Sequence, residues 1–286
     1  MKNHFLKPIS LFLVAAISFL GIHQGHAGEL PVFYPDQEPV ANYLSQMPWH
    51  LYKSYYVPEL AWFWVDEAQD CVKDTIKQGK IWEPYIIDII KKYVKEGDGV
   101  VDVGAHIGTI SLALSNLVGE SGMVHSFESE IQFFRELYHN IYSNQRKNIV
   151  PYLCWLGNEN KDVESLQIGP FISSVAYSPV CNEPIPSWIR PYRTLDYFQL
   201  KNIALMKIDI ECTEDDFLEG AKATIARCRP ILVIEIMGGY GWSEDPDVKK
   251  RIQHTIGILE SMDYKVSKIW VDDYLALPKE REQELQ

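Results

Sequence analysis

The sequence predicts an α/β fold, a mostly parallel sheet of about seven strands sandwiched between helices, and three observations predict it. From residue 84 onward short apolar runs alternate with amphipathic stretches. At 99–117 a run of β-branched residues passes through a glycine-bearing turn into a helical period. The last two apolar runs lie close together, which fits an antiparallel hairpin at the sheet edge rather than another crossover. With 286 residues, 47% of them apolar, the chain can bury one large core.

Residues 1–27 have the pattern of an export signal. Lys2 and Lys7 supply a positive start, Ile9 to Ile22 is apolar apart from Ser10, Ser18 and Gly21, and Gly25-His26-Ala27 offers a small-residue cleavage site. A helix over that run would span about 21 Å, short of the roughly 30 Å hydrocarbon core, so an exported (periplasmic or secreted) protein is expected and a membrane anchor is the alternative. Residues 28–80, rich in Tyr, Trp and Pro and without a long helical period, form an N-terminal extension that packs on the main domain at 81–286.

Pro84 then opens a helix: Ile86, Ile87, Ile90 and Val94 recur at helical spacing, with Lys91 and Lys92 where the helix dipole favours cations. Strands are predicted at Gly99–Val103, Met123–Phe127, Asn148–Leu153, Ile203–Ile208, Ile231–Ile236, Tyr264–Ile269 and Asp273–Leu277. The first three are separated by helices carrying Ile110, Leu112, Leu114 and Leu117, and then Phe133, Phe134, Leu137 and Ile141. Residues 154–193 are broken by five prolines; such a stretch suits substrate enclosure, or a structural excursion with small strands of its own. Thr194 is placed to cap a short helix reaching Leu200.

Composition narrows the partners. The net charge of −12 repels phosphate backbones, so nucleic acid is not expected, and membrane association is expected only through the N-terminal segment. Five cysteines, at 71, 154, 181, 212 and 228, contain no C-x-x-C pair. Cys154 and Cys181 could be oxidised together in an exported protein or stay reduced and buried. The eight histidines show no ligand spacing on a common helix, so no metal is implied.

The richest signal is the strand and turn Val100-Val101-Asp102-Val103-Gly104-Ala105-His106-Ile107-Gly108-Thr109. Gly104 permits the turn, Gly108 lets the helix start close to sheet and ligand, and the free N–H groups at the helix start face the bound molecule. A dinucleotide site places G-x-G-x-x-G under a pyrophosphate, whereas the spacing here is G-x-x-x-G behind an acid. Asp102 would repel pyrophosphate but suits the ammonium of a methionine moiety, which disfavours a nicotinamide-dependent oxidoreductase. Glu128, in His125-Ser126-Phe127-Glu128-Ser129, ends the next strand where a Rossmann-like fold presents a carboxylate to the ribose hydroxyls. Asp102, Gly104, His106, Gly108, Thr109, Glu128 and Ser129 are therefore the candidate cofactor residues, and S-adenosyl-L-methionine is the cofactor they suit.

These blocks, together with Arg193-Thr194-Leu195-Asp196, Lys207-Ile208-Asp209-Ile210-Glu211 followed by Glu214, and Pro230-Ile231-Leu232-Val233-Ile234-Glu235-Ile236, resemble the FkbM-type methyltransferases from about Trp82 to Pro278. The resemblance implies a Rossmann-like class I methyltransferase sandwich with a seven-stranded, mostly parallel sheet and an antiparallel edge hairpin. It also implies S-adenosylmethionine-dependent O-methylation of a hydroxyl on a small molecule, sugar or lipid-linked glycan. Three positions depart from the family: His106 for the usual Asn, Ser129 for Pro, and Cys212 for Gly. Asp209, Glu211 and Glu214 are the candidate catalytic residues, positioning or deprotonating the acceptor, and Glu235 could join them. The competing reading of the same acids is structural: Asp209 capping the next helix and Glu214 satisfying its dipole. Cys212 also leaves open a cofactor- or glycan-binding module with impaired catalysis.

Overall fold

The computed structural model describes residues 51–163, 190–236 and 245–281. The expected export signal at residues 1–27, residues 28–50 and the middle of the 154–193 stretch, Cys181 included, lie outside the described residues.

A hairpin of β1 (Lys53–Val57) and β2 (Ala61–Val65) and a short helix α1 (Cys71–Lys77) make up the described part of the extension. Alternation shapes the hairpin: Ala61, Phe63 and Val65 are buried while Tyr56 and Trp62 stand out on the other face. Its outer edge is capped by one row of side chains on α4 (Ile131–Ser143) and the residue after it. The N–H groups of Trp62, Trp64 and Asp66 donate to Asn144, Asn140 and Glu136 at 3.0, 2.7 and 2.8 Å. Four helical residues rise about 6 Å and two strand residues about 6.7 Å, so the two rows stay in step. A strand edge that could pair with another chain is thereby satisfied internally.

The same junction carries a buried ion network. Lys73 Nζ lies 2.6 Å from Asp66 and 2.8 Å from Glu136, and Arg135 reaches Asp66 at 3.3 Å. Burial would lower the Lys73 ammonium, but Glu136 and Asp66 outweigh it and hold it above the usual lysine value.

Pro84 opens α2 (Pro84–Tyr93), with Lys91 and Lys92 in its last turn as predicted. The chain then runs β3 (Gly99–Val103), α3 (Thr109–Val118), β4 (Met123–Glu128), α4, β5 (Ile149–Leu153). After a small excursion come β9 (Ile203–Ile208), α5 (Glu214–Gly220), α6 (Lys222–Cys228), β10 (Ile231–Glu235), α7 (Pro246–Ser261), β11 (Tyr264–Lys268) and β12 (Asp273–Pro278). The seven-stranded sheet has the order β11-β12-β10-β9-β3-β4-β5. Only β12 runs against the other strands, pairing antiparallel with β10 on one side and β11 on the other, so the Rossmann-like methyltransferase sandwich and its edge hairpin are present as predicted.

Two hydrophobic cores flank the sheet. On one face Val100, Leu205, Val233 and Leu275 pack with α2, α3, α4 and the N-terminal hairpin; on the other Val101, Met206, Leu232 and Ala276 pack with α5, α6 and α7. The excursion after β5 begins and ends in a small sheet, β6 (Trp155–Leu156) parallel to β8 (Arg190–Arg193) and β7 (Lys161–Val163) antiparallel to it. These ends match the expected structural excursion with small strands. Thr194 caps a 3-10 turn over Leu195–Phe198, accepting from the Tyr197 N–H at 3.2 Å, which is shorter than the predicted helix to Leu200. Asp196 caps α6 through the N–H groups of Ala223 and Thr224 at 2.9 and 2.7 Å.

Candidate active site

The first core face turns from apolar to charged at one end of the sheet. Strand alternation that buries Val100, Leu205, Val233 and Leu275 puts Asp102, Lys207, Glu235 and Asp273 next in the same inward rows. Asp102 is in register with Lys207 and Glu235 with Asp273, so the four lie across adjacent strands β3, β9, β10 and β12. Helices cover part of this seam: Ser111 of α3 donates to Asp102 Oδ2 at 2.5 Å, and Tyr85 of α2 donates to Asp273 Oδ2 at 2.8 Å. Asp102 is fully buried, and its Oδ1 has no hydrogen-bond partner.

Above the seam opens a cleft of roughly 290 Å³. Asp102, Gly104, His106, Thr109, Glu128, Ser129, Asp209 and Glu211 line it, so the structure brings together most of the residues singled out from sequence. Gly108 and Glu214 are not part of the lining.

Gly104 has φ +80, and a Cβ there would come 1.8 Å from the carbonyl oxygen of Asp209. Its glycine is demanded by the approach of the β9 end as well as by the turn. At Gly108 (φ +93) a Cβ would lie 2.8 Å from Leu137, so this glycine seats α3 against α4 beneath the cleft. Glu128 is oriented by two backbone donors, the N–H of His106 at 2.7 Å and that of Glu130 at 2.7 Å; burial pushes its carboxyl upward.

Lys207 is the centre of the acid cluster. Burial would lower its ammonium, but Asp209, Asp102 and Glu83 surround it and hold it charged, with Asp209 Oδ2 at 2.6 Å. Burial would likewise raise Asp209, yet Lys207 keeps it ionised below the usual range, and Glu235, raised by burial and by Asp209, holds the proton in the bond between them. The Asp209 carboxylate is thus held by Lys207 and Glu235, and it does not cap α5, whose N-cap position is Thr213. Glu211 faces the cleft in left-handed backbone (φ 53), raised by burial and by the nearby Asp209 charge.

Glu214 stands apart from its expected role in the chemistry. It opens α5, accepts from the Cys212 N–H at 2.9 Å and pairs with Arg251 of α7 at 3.2 Å, and burial pushes it up to about 7. Cys212 has φ 75, a conformation that favours glycine, so the departure from the family sits where a side chain is strained.

Two acids outside the set expected from sequence, Asp70 and Glu83, also line the cleft. Glu83, in left-handed backbone (φ 45) ahead of α2, leaves that helix uncapped and lines the cleft, with burial pushing it up to about 7. Asp70 reaches His106 from the extension. The signals available in sequence were faint: an acid three residues before Lys73 as a helix cap, and an acid immediately before Pro84.

A family model described as the Methyltransferase FkbM domain matches residues 102–266. The chain belongs to the FkbM methyltransferase family. Among relatives, the fibrillarin-like rRNA/tRNA 2'-O-methyltransferases of Pyrobaculum aerophilum and Pyrobaculum islandicum are each 34% identical over 80 residues, 25% of this chain and 34% of theirs. The chain thus spans about a third of the length of these curated relatives. Among solved structures, an FkbM methyltransferase from Methylobacillus flagellatus has a TM-score of 0.43 at 17% identity, covering 66% of this chain and 50% of its own. Aeropyrum pernix fibrillarin with bound S-adenosylmethionine has a TM-score of 0.42 at 14% identity, covering 68% and 73%.

S-adenosylmethionine is the cofactor of this FkbM methyltransferase, and the cleft suits it: the orphaned Asp102 oxygen answers an ammonium and the oriented Glu128 answers a diol. Among the described residues no group of three or more His, Cys, Asp or Glu is arranged to hold a metal ion.

Proposed function

We propose that this protein is an O-methyltransferase whose acceptor is a hydroxyl of a neutral small molecule, sugar or lipid-linked glycan. The observation that carries the reading is Glu211, an acid facing the cleft beside an Asp209 already locked by Lys207. S-adenosylmethionine supplies an electrophilic methyl group on a sulfonium. The chain's own task is to align a hydroxyl with it and remove one proton. Asp209, held ionised and fixed, orients the acceptor, and Glu211, raised toward the neutral form, accepts the hydroxyl proton as the ether bond forms. Glu214 contributes indirectly, by anchoring the turn that carries Glu211. Asp102 holds the donor's ammonium, directly or through water, and Glu128 its ribose, with the 104–109 turn and Ser129 shaping the wall.

Acids outnumber cations in the cleft: Asp70 and Asp209, both held ionised, and the carboxyl groups of Asp102, Glu128 and Glu211 line it with a single lysine, Lys207. That field repels a phosphodiester and supports a neutral acceptor over the RNA named for the Pyrobaculum relatives. Incubation with methyl-labelled donor and two panels, neutral glycosides and transfer or ribosomal RNA, tests this directly. Label is expected in a glycoside methyl ether, and label in RNA contradicts the acceptor class. Glu211→Gln is expected to cut turnover at least a hundredfold while sparing donor affinity.

Cys212 at φ 75 favours a second reading, a binding module with impaired catalysis. Donor binding without transfer to any acceptor, with transfer restored by Cys212→Gly, would support it. The basic start and apolar run of residues 1–27 support export, with a membrane anchor as the alternative. Among the described residues no helix is long and apolar enough to cross a membrane.

A further inference from the structure

We propose that Asp70, supplied by the N-terminal extension, is a positioning residue for the methyl-donor site, acting through His106 on Glu128. The inference rests on the donor-site reading above and extends it to a segment outside the matched family region.

Both Asp70 oxygens are engaged. Oδ1 caps α1 by accepting from the Lys73 N–H at 2.9 Å, and Oδ2 lies 3.1 Å from His106 Nε2. Burial would raise this carboxyl, but the hydrogen bond and charge of His106 and the Lys73 N–H hold it at about 2. Asp70 is therefore an acceptor only, and the proton between the two residues sits on Nε2. The imidazole also lies against Phe133, ring centroids 3.9 Å apart. Two contacts thus fix the side chain of a residue whose backbone is left-handed (φ 50), a conformation that needs outside support in any residue but glycine.

The consequence falls on the next bond. The His106 N–H donates to Glu128 Oε2, so the backbone orientation at 106 sets the direction of the carboxylate that faces the donor ribose. Asp70 is itself anchored, because Lys73, three residues on, is clamped by Asp66 and Glu136. The line of support runs from that buried network through the cap of α1 to Asp70, His106 and Glu128. It also gives a reason for histidine where the family usually has asparagine: the longer side chain reaches an acid delivered from the extension.

Isothermal titration of S-adenosylmethionine and of 5′-methylthioadenosine into wild type, Asp70→Ser, His106→Phe and the double variant tests this. Serine still caps α1 but is too short to reach His106, so the thermal midpoint of the unliganded protein is expected to hold while Kd rises about tenfold. His106→Phe keeps the ring packing and drops Nε2, and carries the test should Asp70→Ser unfold. The double variant should lose no more than either single one. Methylthioadenosine keeps the ribose without the amino-acid part, so its affinity should fall by the same factor. Unchanged Kd in folded Asp70→Ser or His106→Phe, losses that multiply, or a loss confined to S-adenosylmethionine would each overturn the inference. Absence of donor binding by wild type would instead remove the donor-site reading on which it rests.

Discussion

Replacing Lys73 by Met tests whether the N-terminal hairpin and α1 are part of the same cooperative unit as the sheet. The ammonium is 3% exposed and sits between Asp66 and Glu136, both fully buried, at 2.6 and 2.8 Å. Methionine matches its length but removes the ammonium shared by two buried carboxylates, leaving Asp66 the Arg135 guanidinium at 3.3 Å and the Ala68 N–H at 3.1 Å, and Glu136 the Asp66 N–H at 2.8 Å. Breaking a buried pair from one side costs about 3–5 kcal/mol, a large share of the roughly 5–15 kcal/mol that holds a typical domain together. In urea the midpoint should fall by about 1–2 M. The sign of the pH dependence follows from Glu136, which burial already pushes upward against the pull of Lys73. Without the lysine it rises further above its unfolded value, so the folded state holds the extra proton and is favoured as pH falls. The deficit of Lys73→Met relative to wild type should therefore be full at pH 8 and shrink toward pH 5. A loss below about 1 kcal/mol, or one that does not change with pH, would refute the reasoning.

Other perturbations probe the site. Gly104→Ala drives a Cβ to 1.8 Å from the Asp209 carbonyl oxygen, and circular dichroism melts should show a loss of several degrees together with weakened donor binding in titration. Cys212→Gly removes a strained left-handed residue and should raise stability by about 0.5–1 kcal/mol in urea unfolding; a loss would mean the thiol packs usefully. Glu214, pushed up to about 7 when folded, makes stability fall as pH rises from its unfolded value near 4.5 through 7. Glu214→Gln should flatten that slope by up to about 3 kcal/mol between pH 5 and 8, read from denaturation at each pH.

The sheet was legible because period-two apolar runs and turn signals are local. Asp102, Gly104 and Glu128 were legible because a strand end, a turn and a second strand end stand within about thirty residues. What escaped was decided by contacts between distant segments. Glu214 reads like a companion of Asp209 and Glu211, but Arg251 on α7 draws it away from the cleft. The reason for Gly104 lies partly in a carbonyl more than a hundred residues downstream. Glu83 and Asp70 reach the cleft from the positions just ahead of α2 and α1, and no spacing in the sequence announces that. Even so, the inward row Asp102, Lys207, Glu235 and Asp273 is written in the strands as a charge two residues beyond an apolar one, or two before it in the antiparallel β12. It becomes a seam once the strand order is known.

The most direct test of the account is calorimetric titration of the purified protein with S-adenosylmethionine, repeated on Asp102→Ala and Glu128→Ala. Micromolar binding by wild type that is lost in both folded variants is the predicted result. No binding by folded wild type, or binding that survives both substitutions, would contradict the assignment of the cleft as the methyl-donor site.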